Sequence, residues 1–228
     1  LEQGGAVKCW GELDCSGGPA LRIPLKGRVK RLVDAENFCV LHDTGKPSCW
    51  SLNRGGITWN YDHPVKSIRA LVGGRDHLCA LTRQGRVLCW GEYKYGALGG
   101  KLRDGIEPRP VPGVPKVVEL SSGEYHVCAR TARGAVYCWG TLIAIKRVPV
   151  QRMRVPAAKA LASGDSHTCV LTRRNQVYCF GQKGHGDQFV NSMKPKRIPG
   201  FRGVTRLVSN DNHTCGLRRG RVICWGEN

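Results

Sequence analysis

Cysteines recur in pairs ten residues apart, at Cys39 and Cys49, Cys79 and Cys89, Cys128 and Cys138, and Cys169 and Cys179. A fifth pair, Cys215 and Cys224, is one residue closer. The second cysteine sits in nearly the same phrase each time: Val-Leu-Cys-Trp-Gly at 87–91, Val-Tyr-Cys-Trp-Gly at 136–140, Val-Tyr-Cys-Phe-Gly at 177–181 and Val-Ile-Cys-Trp-Gly at 222–226. A further copy, Val-Lys-Cys-Trp-Gly, occupies 7–11. Self-similarity at a period of about 40 to 50 residues means that one small unit, unable to bury its apolar face alone, stacks on copies of itself. The 228 residues are therefore expected to form a single domain of units near 1–27, 28–63, 64–113, 114–156, 157–200 and 201–228.

Within a unit the apolar runs are four to six residues long, rich in Val, Leu and aromatics, and punctuated by Gly. That pattern predicts short strands rather than helices. Between the paired cysteines stand Gly45, Gly85, Gly134 and Gly220, with Asn175 in the matching place, and these residue types tolerate the positive φ of a tight hairpin turn. Folding about that turn sets the two cysteines opposite one another on antiparallel strands, about 4.5–5.5 Å apart at Cα, within reach of a disulfide. Each such bridge contributes roughly 3 kcal/mol by constraining the unfolded chain. Cys9 and Cys15 remain, and joining them makes six bridges from twelve cysteines. The short Cys-x-x-Cys or His-x-x-x-His spacing of a zinc site is absent. Disulfides in this number predict a secreted, periplasmic or cell-surface location. No run of eighteen apolar residues spans a membrane, and Leu1 reads as the start of a mature or trimmed chain.

The formal net charge is +19, and the excess is patterned. The hairpin turns carry Arg83 and Arg86, Arg130 and Arg133, Arg173 and Arg174, then Arg218, Arg219 and Arg221. Equivalent turns of a repeat fall on one face, so these side chains are expected to form a cationic arc that steers acidic partners. Lys146, Arg147, Arg152 and Arg154 add charge in a divergent spacer, and Trp59 and Tyr61 stand in another. Aromatics mixed with cations are what protein interfaces and polymer grips use. A solvated basic surface with no dedicated ligand is the plain alternative.

Leu71, Gly74, His77, Leu81, Gly85, Val87, Trp90, Gly91, Gly96, Leu98 and Gly99 form a frame that returns at Leu120, Gly123, His126, Val136, Trp139 and Gly140. It returns again at Leu161, Gly164, His167, Leu171, Val177 and Gly181, and at Leu207, His213, Leu217, Gly220, Val222, Trp225 and Gly226. This frame resembles the repeat of the regulator of chromosome condensation family, in particular a secreted bacterial branch with cysteines. The resemblance implies an all-β propeller of about six blades, incomplete or part of a seven-bladed ring, each blade a four-stranded antiparallel sheet with one disulfide. Family members include a nucleotide-exchange factor that binds chromatin, light-receptor partners and secreted inhibitors of β-lactamases, so the fold leaves the function open. The copy around Cys39 departs from the frame: Asn37 replaces the histidine, Pro47 the valine and Ser51 the glycine. Pro47 points to an edge strand or a bulge.

His77, His126, His167 and His213 hold one repeat position and are expected to bond backbone between strands or blades rather than bind metal. Trp10, Trp90, Trp139, Phe180 and Trp225 recur with the period and are expected in blade-to-blade packing. No phosphate-cradling loop, nucleophile elbow or His-Glu-x-x-His occurs, so no enzyme activity, metal or cofactor is expected. The reading is a non-catalytic binding module for an acidic protein or an anionic polymer such as a polysaccharide, lipopolysaccharide or nucleic acid. Its alternatives are a structural subunit of an extracellular or envelope assembly, and an inhibitor of a secreted enzyme such as a β-lactamase.

Overall fold

A computed structural model describes residues 6–9, 21–25, 27–33, 38–53, 56–62, 65, 67–92, 95–100, 105–143, 146–182 and 192–226. All regular structure in them is β. β1 (Val7–Cys9) and β2 (Leu21–Ile23) make a two-stranded antiparallel sheet. The first full blade is β3 (Val29–Val33), β4 (Phe38–His42), β5 (Pro47–Asn53) and β6 (Gly56–Asp62). The second is β7 (Ile68–Gly73), β8 (His77–Thr82), β9 (Val87–Gly91) and β10 (Gly105–Pro110). The third is β11 (Glu119–Ser122), β12 (His126–Arg130), β13 (Val136–Ile143) and β14 (Lys146–Met153). The fourth is β15 (Ala158–Ser163), β16 (His167–Thr172), β17 (Val177–Gly181) and β18 (Ser192–Arg197). The fifth has three strands among the described residues, β19 (Arg206–Asn210), β20 (His213–Arg218) and β21 (Arg221–Gly226).

Within every blade the strands pair in chain order, so the first strand is innermost. β3, β7, β11, β15 and β19 together wall a central channel of about 630 Å³. The expected half-dozen blades thus resolve, among the described residues, into five blades and the β1–β2 sheet. β1 is a Cys-Trp-Gly strand like β21, and it pairs with β2 rather than completing the fifth blade.

Each blade shows two different faces to its neighbours. One carries the disulfide and the apolar residues around it; the other carries the aromatic of the Cys-Trp-Gly phrase. At the joint between the second and third blades, Cys79, Leu81, Val87 and Cys89 pack on Val117, Leu120, Val127 and Trp139. The next joint sets Cys128, Val136 and Cys138 on Leu161, Val170 and Phe180, and the one after sets Cys169, Leu171 and Cys179 on Val204 and Trp225. The same rule orders Cys39, Leu41 and Cys49 against Leu78, Ala80 and Trp90. The period-2 alternation of strand side chains produces the two faces. Stacking them buries Trp90, Trp139 and Phe180 almost completely, as the recurrence of those aromatics implies.

All five described disulfides join the second and third strands of one blade: Cys39–Cys49, Cys79–Cys89, Cys128–Cys138, Cys169–Cys179 and Cys215–Cys224. Their Cα separations lie between 4.0 and 4.2 Å. These are therefore non-hydrogen-bonded cross-strand pairs, the closer of the two antiparallel spacings. The Cys9–Cys15 pairing lies outside the described residues. Pro47 is the first residue of β5, an inner strand, rather than part of an edge; strand starts are a position where a missing N–H is tolerated. The irregularity in that blade falls between Cys49 and Trp50, on the side facing β6.

The turn between the cysteines behaves as its glycines require. Gly45, Gly85, Gly134, Asn175 and Gly220 all have positive φ. The fifth turn is shorter because Arg219 and Gly220 alone connect the paired Arg218 and Arg221, with φ of 49 and 76. This is the two-residue hairpin with both central residues at positive φ, and it explains the nine-residue cysteine spacing. At Gly134 a Cβ would stand 2.7 Å from the Ala158 nitrogen of the next blade, whereas at Gly220 it would meet nothing within 4 Å. Gly220→Ala should accordingly cost only the left-handed penalty of about 1–2 kcal/mol. Gly134→Ala should cost clearly more, as read from urea midpoints of the two oxidised variants; equal losses would show that the turn does not press on the following blade.

Candidate functional site

Between neighbouring blades, near the channel, lies a polar seam built on the repeated histidine. His77, His126 and His167 open β8, β12 and β16, and each Nε2 lies 2.8 Å from a hydroxyl of the next blade: Ser122 Oγ, Thr168 Oγ1 and Thr214 Oγ1. Those hydroxyls are themselves held, Thr168 by Ser163 at 2.9 Å and Thr214 by Ser209 at 2.7 Å. A main-chain strap runs beside them, with Arg75 N–H donating to Glu124 O, Glu124 N–H to Asp165 O and Asp165 N–H to Asp211 O, each at 2.9 Å. The strap needs glycine beneath it: a Cβ on Gly123 would stand 2.3 Å from Gly164 O and 2.2 Å from the His126 ring. The expected histidine role between blades is thus present, with a side-chain hydroxyl as the partner in place of backbone.

That partner was the element sequence reasoning missed, and a trace of it exists. In the fourth and fifth blades the residue after the histidine is Thr, as Thr168 and Thr214, and in the third it is Val127. There Ser122, paired with Val127 across β11 and β12, supplies the hydroxyl instead. Burial pushes His77 down to about 4 and His126 to about 3, with His167 and His77 lowering His126 further. The rings are neutral at physiological pH and strung from joint to joint. Among the described residues no three of His, Cys, Asp and Glu gather to hold a metal ion.

The meander places alternate connections at opposite ends of the propeller. First-to-second-strand loops and third-to-fourth-strand loops share one end; the cysteine hairpins share the other with the links between blades. At the hairpin end Arg83, Arg86, Arg133, Arg173, Arg174, Arg219 and Arg221 are exposed, and Arg152 and Arg154 at the close of β14 join them there. Arg130 is drawn into an ion pair with Glu119, Arg173 Nη2 donates to Ala132 O at 2.9 Å, and Arg218 Nη1 donates to Gly200 O at 2.6 Å. Lys146 and Arg147 begin β14, so the topology sets their backbone at the opposite end from the hairpin arginines. Trp59 and Tyr61 lie along the outermost strand β6, opposite Trp50 and Cys49. The candidate residues therefore divide: one group at the hairpin end, two residues at the other, two on the rim strand.

At the loop end the channel mouth has mixed charge, bordered by Arg75, Glu124, Asp165 and Asp211. Arg75 pairs with Glu124 at 3.0 Å. Burial, with Asp211 and Glu124 close by, raises the Asp165 pKa.

Stacked antiparallel four-stranded sheets around a channel define a β-propeller. Three of its repeats match the regulator of chromosome condensation (RCC1) repeat, at residues 68–96, 117–141 and 158–187, and the chain has the fold of an RCC1-like propeller. Among solved structures, Prp20p from Saccharomyces cerevisiae superposes with a TM-score of 0.80 at 20% identity, over 99% of this chain and 68% of that one. Human WBSCR16 gives 0.71 at 18% identity, over 93% of this chain and 66% of that one. The CRINKLY ectodomain of the Arabidopsis thaliana receptor kinase ACR4 gives 0.61 at 22% identity, over 87% and 72%. Each likeness is one of fold. The chain spans about two thirds of the length of the first two proteins. No curated protein matches the sequence.

The seam has a pH signature. Unfolded, these histidines protonate near 6.5; folded, His77 resists to about 4 and His126 to about 3. Between those values the unfolded chain binds more protons, so acidification favours unfolding, by about 1.4 kcal/mol per pH unit for each ring. Urea midpoints should fall as pH drops from 6.5 towards 4, and the His77→Gln, His126→Gln double variant should show a flatter dependence. A wild-type midpoint constant across that window would rule out buried neutral rings.

Proposed function

We propose that this chain is a non-catalytic binding module that works in an oxidising compartment and engages an acidic protein or an anionic polymer through the arginines of its hairpin end. The observation that carries the reading is the gathering of exposed arginines at the hairpin end. Seven arginines of the hairpin turns are exposed at one end, while Glu124, Asp165 and Asp211 sit at the channel mouth at the other. Such a concentration of cations attracts an anionic partner and orients it.

Five disulfides with no free cysteine among the described residues favour a secreted, periplasmic or cell-surface setting. No helix in the described residues is long and apolar enough to cross a membrane. Prp20p is described as binding Gsp1p and histones, and its relation to Kap60 is that of a bound pair, so propellers of this repeat do serve as protein-binding surfaces.

Binding to a polyanion such as heparin should weaken steeply with salt, because each neutralised charge releases counterions. For about four engaged arginines the affinity should drop by roughly a few hundredfold between about 50 and 300 mM salt. The triple variant Arg133→Glu, Arg173→Glu, Arg174→Glu should flatten that slope without altering the thermal midpoint by more than a few degrees. Titration on immobilised heparin reads the slope, and a flat wild-type response would remove the electrostatic reading.

A further inference from the structure

At the hairpin end of the second, third and fourth blades the turns and the links that follow them are described without a gap, and each of these blades has a neighbour on both sides. Over residues 82–86, 109–119, 130–136, 152–159, 172–177 and 196–206 Glu119 is the one acidic residue. It is already engaged, by Arg130 and by the N–H of Leu161. The other cations of these segments meet no counter-charge among the described residues.

Their placement repeats with the joints. Between the third and fourth blades Ala158 N–H donates to Gly134 O and Arg173 N–H to Ala157 O, each at 2.9 Å, so one turn, the link and the next turn are tied side by side. Arg173 Nη2 reaches back 2.9 Å to Ala132 O. Arg133, Arg154 and Arg173, all exposed, thereby reach one joint from three segments. One joint earlier Val117 N–H bonds Gly85 O at 2.9 Å, and the Lys116 Cβ lies 3.4 Å from where a Cβ on Gly85 would stand, which sets exposed Lys116 beside exposed Arg86. Stacked sheets lie about 10 Å apart, so cations recur at about that step along a curved track.

We propose that this track binds an anionic polysaccharide, laid along the hairpin ends from the second blade to the fourth with its sulfate or carboxylate groups against the guanidinium groups. The proposal rests on the reading of a cationic hairpin end and names its occupant. Tyr137, Tyr178 and Phe201, the aromatics near this end, are partly buried. The described surface therefore offers neither the exposed aromatic anchor on which protein interfaces centre nor a stacking platform for the bases of a single strand. A nucleic-acid duplex is stiff over about 50 nm and meets a curved track at few points. A chain of sugars turns at every linkage and follows the curve, and each arginine fork receives an anionic group through paired hydrogen bonds.

The probes are fluorescein-labelled heparin fragments of about four and about ten sugars, followed by anisotropy at about 50 mM salt beside an oligothymidylate and an oligoglutamate of matched charge. The longer fragment should bind at least about tenfold more tightly than the shorter, because it reaches a second joint. Arg133 and Arg154 take part in no side-chain hydrogen bond or ion pair among the described residues, so replacing them leaves the contacts of the fold in place. Arg133→Glu with Arg154→Glu should weaken the longer fragment by about tenfold or more at an unchanged thermal midpoint. Lys146→Glu with Arg147→Glu makes the same change of charge at the other end of the propeller and should alter binding less than about threefold. Equal losses from the two pairs would mean that the polymer senses net charge alone, which overturns the track. Equal affinity of the two fragments overturns it too. Tighter binding of the oligothymidylate or the oligoglutamate overturns the polysaccharide and leaves the cationic hairpin end standing, whereas binding of none of the probes overturns both.

Discussion

A four-stranded antiparallel sheet stapled by one disulfide has two apolar faces and too little core to stand alone, so everything in this molecule depends on the joint between one blade and the next. The joint is directional. A disulfide face always meets an aromatic face, as where Cys128 and Cys138 lie with Phe180, and Cys169 and Cys179 with Trp225. Directionality makes the blades turn about an axis in one sense, because the same pair of unlike surfaces recurs at every step. It also buries the disulfides: Cys128, Cys138, Cys169 and Cys179 have no exposed surface. The bridges hold each hairpin while the joints hold the array.

Near the channel the joint is polar, where apolar packing would leave the ends of strands unsatisfied. The His–hydroxyl contacts and the main-chain strap from Arg75 through Glu124 and Asp165 to Asp211 supply partners for those groups. The opposite end of each blade carries its own link, in which Val117, Ala158 and Gly203 donate N–H to the turn residues Gly85, Gly134 and Asn175 of the preceding blade. With main-chain bonds fixing both ends, the side chains of the hairpin turns are not needed for the joint. Most of the arginines there are exposed; Arg130 is bound to Glu119 of its own blade, Arg218 bonds Gly200 O, and Arg173 adds a bond to Ala132 O of the preceding blade.

Much of this was legible in the sequence because repetition amplifies weak signals. One Gly between two strands is ambiguous, but Gly45, Gly85, Gly134 and Gly220 in phase with the cysteines identify a hairpin, and the structure gives all four positive φ. The recurring aromatics were readable as packing for the same reason. What escaped was whatever is satisfied across a joint by residues at different places in the frame. Ser122 and Thr168 perform one task from different strands, and no single-unit alignment shows that substitution. The ends at which charges fall also escaped. Lys146 and Arg147 read as one cluster with Arg152 and Arg154, yet a strand running the length of the blade separates the two pairs.

The fifth blade separates the message of a repeat from its outcome. Gly220, Val222 and Cys224 occupy the same frame positions as Gly134, Val136 and Cys138, and locally they do the same things: the turn forms, the strand pairs, the bridge closes. Yet Val136 and Cys138 have no exposed surface, while Val222 and Cys224 are exposed. His213 likewise holds the position of His126 and is exposed, where His126 is sealed against Thr168. Local sequence therefore encodes a surface made for a neighbour, and burial depends on whether a neighbour is there.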